Sequence, residues 1–287
     1  MPTPRVAAIH DLSGFGRCSL TIVMPVLSAM GVQCCPLPTA VLSTHTGGFQ
    51  SNTFLDLTDQ MAPVTAHWKA ENVTFDAVYT GFMGSREQIA LTGAFIRAFK
   101  RRECRVVVDP VMGDHGRAYR TYTPEMCRAM ADLAAAADLI TPNRTEAALL
   151  LGEDYETLRL DREADCRRWC EALSLGGRRS VALTGVSLTE DTVGAACFDR
   201  DTGRVEFAAA PLAAGTFHGT GDLFASVLAG ASVRGWPLAE AARLAAEFTS
   251  RCARRTREEG TPRREGVDFE PLLWRLGQQM EEAPCRN

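Results

Sequence analysis

The feature that most constrains this chain is an alternation of short, nearly unbroken apolar runs, such as Arg-Val-Val-Val-Asp at 105–109 and Ser-Val-Ala-Leu-Thr at 180–184, with longer stretches of helical period. Runs of that kind suit strands covered on both faces, and parallel strands need crossover connections of helix length. Residues 5–10, 32–37, 77–82, 105–109, 138–141 and 179–184 read as strands, with amphipathic helices such as 86–101 and 124–137 between them. Beyond 184, two short runs at 193–198 and 205–209 flank the turn-rich Asp199-Arg200-Asp201-Thr202-Gly203 and predict a hairpin. Helices are expected over 220–234, 237–255 and 269–280. The pattern predicts an α/β fold, a three-layer α/β/α sandwich with a mostly parallel central sheet and an antiparallel edge hairpin, as one domain over 1–287.

Composition removes several function classes. With 46% hydrophobic and 23% charged residues and a net charge of −4, the chain can bury a large core and carries no basic stripe for nucleic acid. No apolar run approaches the roughly 20 residues that cross a bilayer, and the N-terminus lacks a signal pattern, so a cytoplasmic protein without a membrane partner is expected. The ten cysteines form no CxxC pair and no ligand spacing with histidine, which reads as reduced thiols. The charge-dense 254–264 segment reads as a solvated loop.

In an open parallel sheet, ligands collect at the carboxyl ends of the strands. The residues expected there are chemically loaded: His10-Asp11-Leu12-Ser13-Gly14, Ser43-Thr44-His45-Thr46-Gly47-Gly48, Asp109-Pro110-Val111-Met112-Gly113-Asp114, Thr141-Pro142-Asn143-Arg144-Thr145-Glu146 and Thr184-Gly185. Gly219-Thr220-Gly221-Asp222 opens a helix instead, where free backbone N–H groups and the helix dipole make an anion site suited to phosphate. Asp222 in the first turn reads as a helix cap and as a proton acceptor for an alcohol attacking that phosphate, two roles that do not exclude each other. Likewise Asp109 reads as a strand-ending carboxylate or a ligand, Glu146 as the charge of a helix capped by Asn143 or a ligand, and His45 as a loop histidine or a substrate contact. Their shared end of one sheet favours function. GxxxxGK[ST] does not occur, and Gly14-Phe15-Gly16-Arg17-Cys18-Ser19 lacks both the third glycine and the downstream acid of a dinucleotide fingerprint.

DPVMGD at 109–114, TPNRTEA at 141–147, LTG at 183–185 and GTGDLFAS at 219–226 together resemble the ribokinase-like superfamily. STHTGGFQ at 43–50 and TGFMGS at 80–85 make the chain similar to the vitamin B6 kinases within it. The resemblance implies ATP- and Mg²⁺-dependent phosphorylation of the hydroxymethyl group of pyridoxal, pyridoxine or pyridoxamine, giving the 5′-phosphate and ADP, with a monovalent cation as a further candidate cofactor. It makes Asp222 the base, and the amides of Gly219, Thr220 and Gly221 the cradle of the migrating phosphoryl group. Asp109 and Glu146 become the acids near Mg²⁺. Thr141, Asn143, Thr184 and Gly185 lie on the nucleotide phosphates, with Ala210, Pro211, Leu212 and Ala213 as a loop over the nucleotide. Asp11, His45, Thr46 and Gly47 would meet the ring of a small heteroaromatic alcohol, and residues 113–116 would form a flap. A homodimer is implied.

Two departures stand out. Asp11 occupies a place where pyridoxal-type enzymes often have Ser, and hydroxymethylpyrimidine kinases begin with Asp as this chain does. The family's Gly-Asn in the first loop is here Ser19-Leu20. Hydroxymethylpyrimidine kinase and a non-catalytic B6- or nucleotide-binding protein are the alternatives, the second opposed by the intact Asp222.

Overall fold

The computed structural model describes residues 2–282. The first half runs β1 (Arg5–Phe15), α1 (Leu20–Ala29), β2 (Gln33–Thr44), β3 (Phe54–Asp56), α2 (Thr58–Ala70), β4 (Ala77–Thr80), α3 (Arg86–Phe99) and β5 (Arg105–Val108). A two-stranded hairpin follows, β6 (Gly113–Asp114) and β7 (Arg117–Ala118), then α4 (Pro124–Ala135), β8 (Leu139–Ile140), α5 (Arg144–Leu151) and α6 (Glu163–Leu173). The rest comprises β9 (Ser180–Val186), β10 (Thr192–Asp199), β11 (Arg204–Pro211), α7 (Thr220–Val233), α8 (Leu238–Glu258) and α9 (Leu273–Glu282).

Nine strands form one sheet in the order β11-β10-β9-β8-β5-β4-β1-β2-β3. The pairs from β9 through β8, β5, β4 and β1 to β2 are parallel, while β10, β11 and β3 attach antiparallel. Alternation along β1 divides the core, with Val6 and Ala8 packing with α1, α7 and α8, and Ala7 and Ile9 packing with residues of α3, α4 and α6. The expected sandwich and edge hairpin are therefore present. The chain reverses direction across the sheet at β1, since β2 lies on one side of it and β4 on the other, which opens a crevice above their carboxyl ends. Among the described residues no helix is long and apolar enough to cross a membrane.

Several boundaries differ from the sequence reading, each for a local reason. β1 continues past His10 to Phe15 through an irregularity between His10 and Leu12, so Asp11 stands on a bulged strand rather than in a loop. β2 runs on to Thr44 despite Pro36 and Pro38, because beside these residues it pairs only with β1, and an edge tolerates a missing donor. Ala210 and Pro211 end β11 rather than starting a loop, paired with Val193 and Thr192. The 254–264 segment is not all loop, since α8 extends to Glu258 with Thr256 on its buried face. The short β3, α2, α5 and α6 complete the alternation.

Candidate active site

Two chain segments meet over the crevice. After β1, Arg17 donates its backbone N–H to Glu265 and its guanidinium to Glu270 and Asp268, which pins the loop leading into α1. Val267 donates to the carbonyl of His218, and Gly219 packs directly on Arg17. Gly219 has φ +82, and a Cβ there would lie 2.4 Å from the Arg17 carbonyl oxygen, so only glycine lets the two loops close. Gly219 is the N-cap of α7, no side chain caps that helix, and a Cβ at Gly221 would meet nothing within 4 Å. The N-terminus of α7 thus presents backbone donors to open space, as an anion cradle requires.

Asp222 is not a cap. Its Oδ2 accepts the Ser19 N–H at 2.9 Å, and desolvation, reinforced by the charge of Asp11, pushes its pKa up to about 6. Asp11, buried at the β1 bulge, accepts the Ser19 hydroxyl at 2.6 Å on Oδ1 and the Ser13 hydroxyl at 3.2 Å on Oδ2. Burial raises the Asp11 pKa, and the serine donors and nearby His45 oppose that rise. Ser19, unassigned in the sequence reading, therefore bridges two carboxylates that lie 211 positions apart in the chain, with bonds spanning 8 and 203 residues. The only sequence signal was its replacement of glycine.

Across the crevice, Asp109 directly follows β5 and accepts the Thr141 hydroxyl at 2.9 Å, and burial with repulsion from Asp222 lifts its pKa to about 7. Glu146 completes a capping box with Asn143, accepting the backbone N–H of Asn143 at 2.8 Å while Asn143 accepts that of Glu146. Its other oxygen accepts from Met112 at 3.2 Å, and burial and Asp109 push its pKa well up. The capping and ligand readings of Glu146 are thus compatible. Asn143 also donates to the Gly113 carbonyl, and Thr145 accepts from Gly116, which fastens the β6–β7 hairpin to α5. Thr184 donates to the Pro142 carbonyl, and Gly185 faces open space and lines a cavity of about 360 Å³ with Arg144 and Ser187.

Among the described residues no ion pair reaches Asp11, Asp109, Glu146 or Asp222. Clustered carboxylates without a cationic side chain hold a raised affinity for protons and for a cation alike. Among the described residues no group of three or more acidic, histidine or cysteine side chains is placed to hold a metal; the pair Asp109 and Glu146 would suit a hard cation whose other ligands are water and phosphate oxygens.

On the expected ring side, the structure shows how His45 is held. His45 is buried, with Nε2 2.7 Å from the Arg264 carbonyl and Nδ1 accepting from Gly47 at 3.1 Å, so both ring nitrogens are engaged within the protein. It stacks edge-on against Phe49 and lies 5.0 Å from the His218 ring, which touches Gly47. His45 is thus fixed beside the partly buried Gly47, and Thr46 is exposed. The predicted nucleotide loop is also split: Ala210 is 3% exposed and packs in the core, Pro211 ends the strand, and Leu212 and Ala213 follow it outside the sheet. Burial and the charges of Asp11 and Asp222 raise the pKa of the Cys18 thiol, which disfavours its thiolate.

Residues 24–264 match the family described as phosphomethylpyrimidine kinase. A pyridoxine/pyridoxal/pyridoxamine kinase from Bordetella pertussis is 30% identical over 270 residues, covering 89% of this chain and 90% of the relative. A Bacteroides thetaiotaomicron protein assigned to the phosphomethylpyrimidine kinases and solved with pyridoxal superposes with TM-score 0.89 at 41% identity, covering 96% of each chain. Pyridoxal kinase from Lactobacillus plantarum gives TM-score 0.88 at 32% identity, covering 98% of this chain and 99% of that one.

Proposed function

The chain belongs to the phosphomethylpyrimidine kinase family, and from that premise we propose that it transfers the γ-phosphoryl group of ATP to the hydroxymethyl oxygen of a vitamin B6 vitamer. The observation that carries this reading is Asp222, a carboxylate of raised pKa beside an open helix N-terminus and tied through Ser19 to the ring-side Asp11. A binding protein has no use for a proton acceptor at its phosphate cradle.

In this reading the acceptor's ring lies over β1, where Asp11 keeps lone pairs for a ring hydroxyl or protonated ring nitrogen. Asp222 Oδ2 holds the Ser19 N–H and its other oxygen takes the hydroxymethyl proton as that oxygen attacks phosphorus. The new O–P bond forms as the bond between the γ-phosphorus and the oxygen of the β-phosphate breaks, ADP leaves, and Asp222 returns the proton to solvent. The amides of Gly219, Thr220 and Gly221 receive the charge that grows on the phosphoryl oxygens. Asp109 and Glu146 would hold Mg²⁺, which neutralises phosphate charge. Asn143, Thr141, Thr184 and Gly185 border the nucleotide phosphates, with Leu212 and Ala213 nearer its base. A homodimer belongs to the same reading, supported by Phe54 and Leu55, 52% and 60% exposed on the edge strand β3.

Asp11 and the family description favour hydroxymethylpyrimidine as a second acceptor, whereas the named B6 kinase relatives and the pyridoxal complex support the vitamer. The test is ADP release from Mg-ATP with pyridoxal, pyridoxine, pyridoxamine, hydroxymethylpyrimidine and ribose, using Asp222→Ala as control. Turnover on a vitamer that the variant loses is expected; turnover on hydroxymethylpyrimidine alone would transfer the assignment to the second reading.

A further inference from the structure

We infer that Ser19 is a positioning residue that couples the ring contact to the base, holding Asp11 and Asp222 as one unit through its hydroxyl and its backbone N–H. The inference rests on the kinase reading and deepens it, because it names what fixes the acceptor hydroxyl relative to the proton acceptor.

Three observations carry it. Ser19 stands at the N-cap of α1, where serine ordinarily turns its oxygen to the exposed amides of the helix, yet no side-chain cap bond forms there. The hydroxyl instead donates to Asp11 Oδ1 at 2.6 Å, and the N–H donates to Asp222 Oδ2 at 2.9 Å. Its backbone has φ 48 and ψ −131, a conformation that suits glycine and strains a residue with a Cβ. Ser19 thus forgoes its cap and accepts strain, and both departures aim its donors at carboxylates of the crevice. Glycine would adopt this backbone freely and still supply the N–H. What serine adds is the hydroxyl on Asp11.

The geometry leaves each carboxylate able to receive a substrate donor. Asp11 accepts from Ser13 and Ser19, one on each oxygen, and a carboxylate offers about four lone-pair sites. Asp222 uses Oδ2 for Ser19 and keeps Oδ1 for the acceptor hydroxyl. A ring held by Asp11 is therefore in fixed relation to the oxygen that takes its proton, and near-attack alignment of that kind is sensitive to displacements of about 1 Å.

The test compares the unaltered protein, Ser19→Gly, Asp11→Asn and the double variant, using kcat and KM for the vitamer, KM for Mg-ATP and the melting temperature. Ser19→Gly relieves the backbone, so its Tm is expected to hold or rise. Its kcat/KM for the vitamer is expected to fall about 10- to 100-fold, the range of one lost charge-assisted hydrogen bond, with KM for Mg-ATP unchanged. In the Asp11→Asn background the same substitution should cost much less, the signature of a coupled pair. A Ser19→Gly enzyme within about twofold of the unaltered one, or an equal loss in both backgrounds, would overturn the proposal. Absence of turnover by the unaltered protein on every vitamer would instead refute the kinase reading, and the proposal with it.

Discussion

Replacing Asp222 with Asn separates catalysis from folding. Burial lifts the Asp222 pKa from 3.8 to about 6, so the folded state holds this proton more tightly than the unfolded chain does. The stabilisation from that proton is complete below pH 3.8 and is lost as pH rises to about 6. Above that, the ionised carboxylate costs at most about 3 kcal/mol, and less where water reaches it. Asparagine keeps an oxygen for the Ser19 N–H and removes the charge, while Gly219 leaves no side-chain cap to lose. At pH 8, calorimetry should therefore show Tm unchanged or a few degrees higher, at roughly 2–4 °C per kcal/mol for a chain of this size. The ADP-release assay should show kcat lower by about 10²–10⁴-fold, the contribution of a positioned base. A variant that loses Tm and turnover together would refute the argument and make Asp222 a structural carboxylate. Full turnover would refute it from the other side.

Other consequences are as direct. Because the Asp222 pKa stands at about 6 in the free protein, kcat/KM should fall as pH drops below that value and the base becomes protonated, which a pH profile checks. Gly221→Ala should fold normally, since its Cβ meets nothing within 4 Å, yet lose phosphoryl transfer by filling the cradle. Gly219→Ala should lower Tm outright, because φ is +82 and its Cβ would press on the Arg17 carbonyl; thermal melts beside turnover distinguish the two. Glu146→Gln keeps one carbonyl oxygen for the Asn143 N–H of the capping box, turns its amide nitrogen toward the Met112 N–H, and removes charge from the crevice. The lost Met112 bond should lower Tm by a few degrees at most, about 1 kcal/mol, while the Mg²⁺ concentration for half-maximal rate rises, as thermal melts and a metal titration would show.

The layers of this fold were legible because buried parallel strands and their crossover helices repeat a strong pattern, as Val106–Val108 and Val181–Leu183 show. The carboxylates at the strand ends were legible for a related reason, since topology gathers Asp11, Asp109 and Glu146 at one rim. What escaped was long-range. The extension of β1 through the Asp11 bulge depends on pairing with β2, and the backbone of Ser19 is held by Asp222, 203 residues away. His45 has the chemistry of a ligand, but the Arg264 carbonyl that engages it comes from a segment whose charges read as solvent-facing. Pro211 resembles the start of a loop, yet β11 is an edge strand where proline is tolerated.

The central claim is that phosphorus moves from ATP to a hydroxymethyl oxygen on a B6 ring. Its most direct measurement is ³¹P NMR with mass spectrometry of the products from Mg-ATP and pyridoxal, with the unaltered protein and Asp222→Asn side by side. The account predicts one new phosphate monoester, pyridoxal 5′-phosphate, formed in step with ADP and absent with the variant. ADP accompanied only by inorganic phosphate, or a vitamer left unmodified, would contradict it.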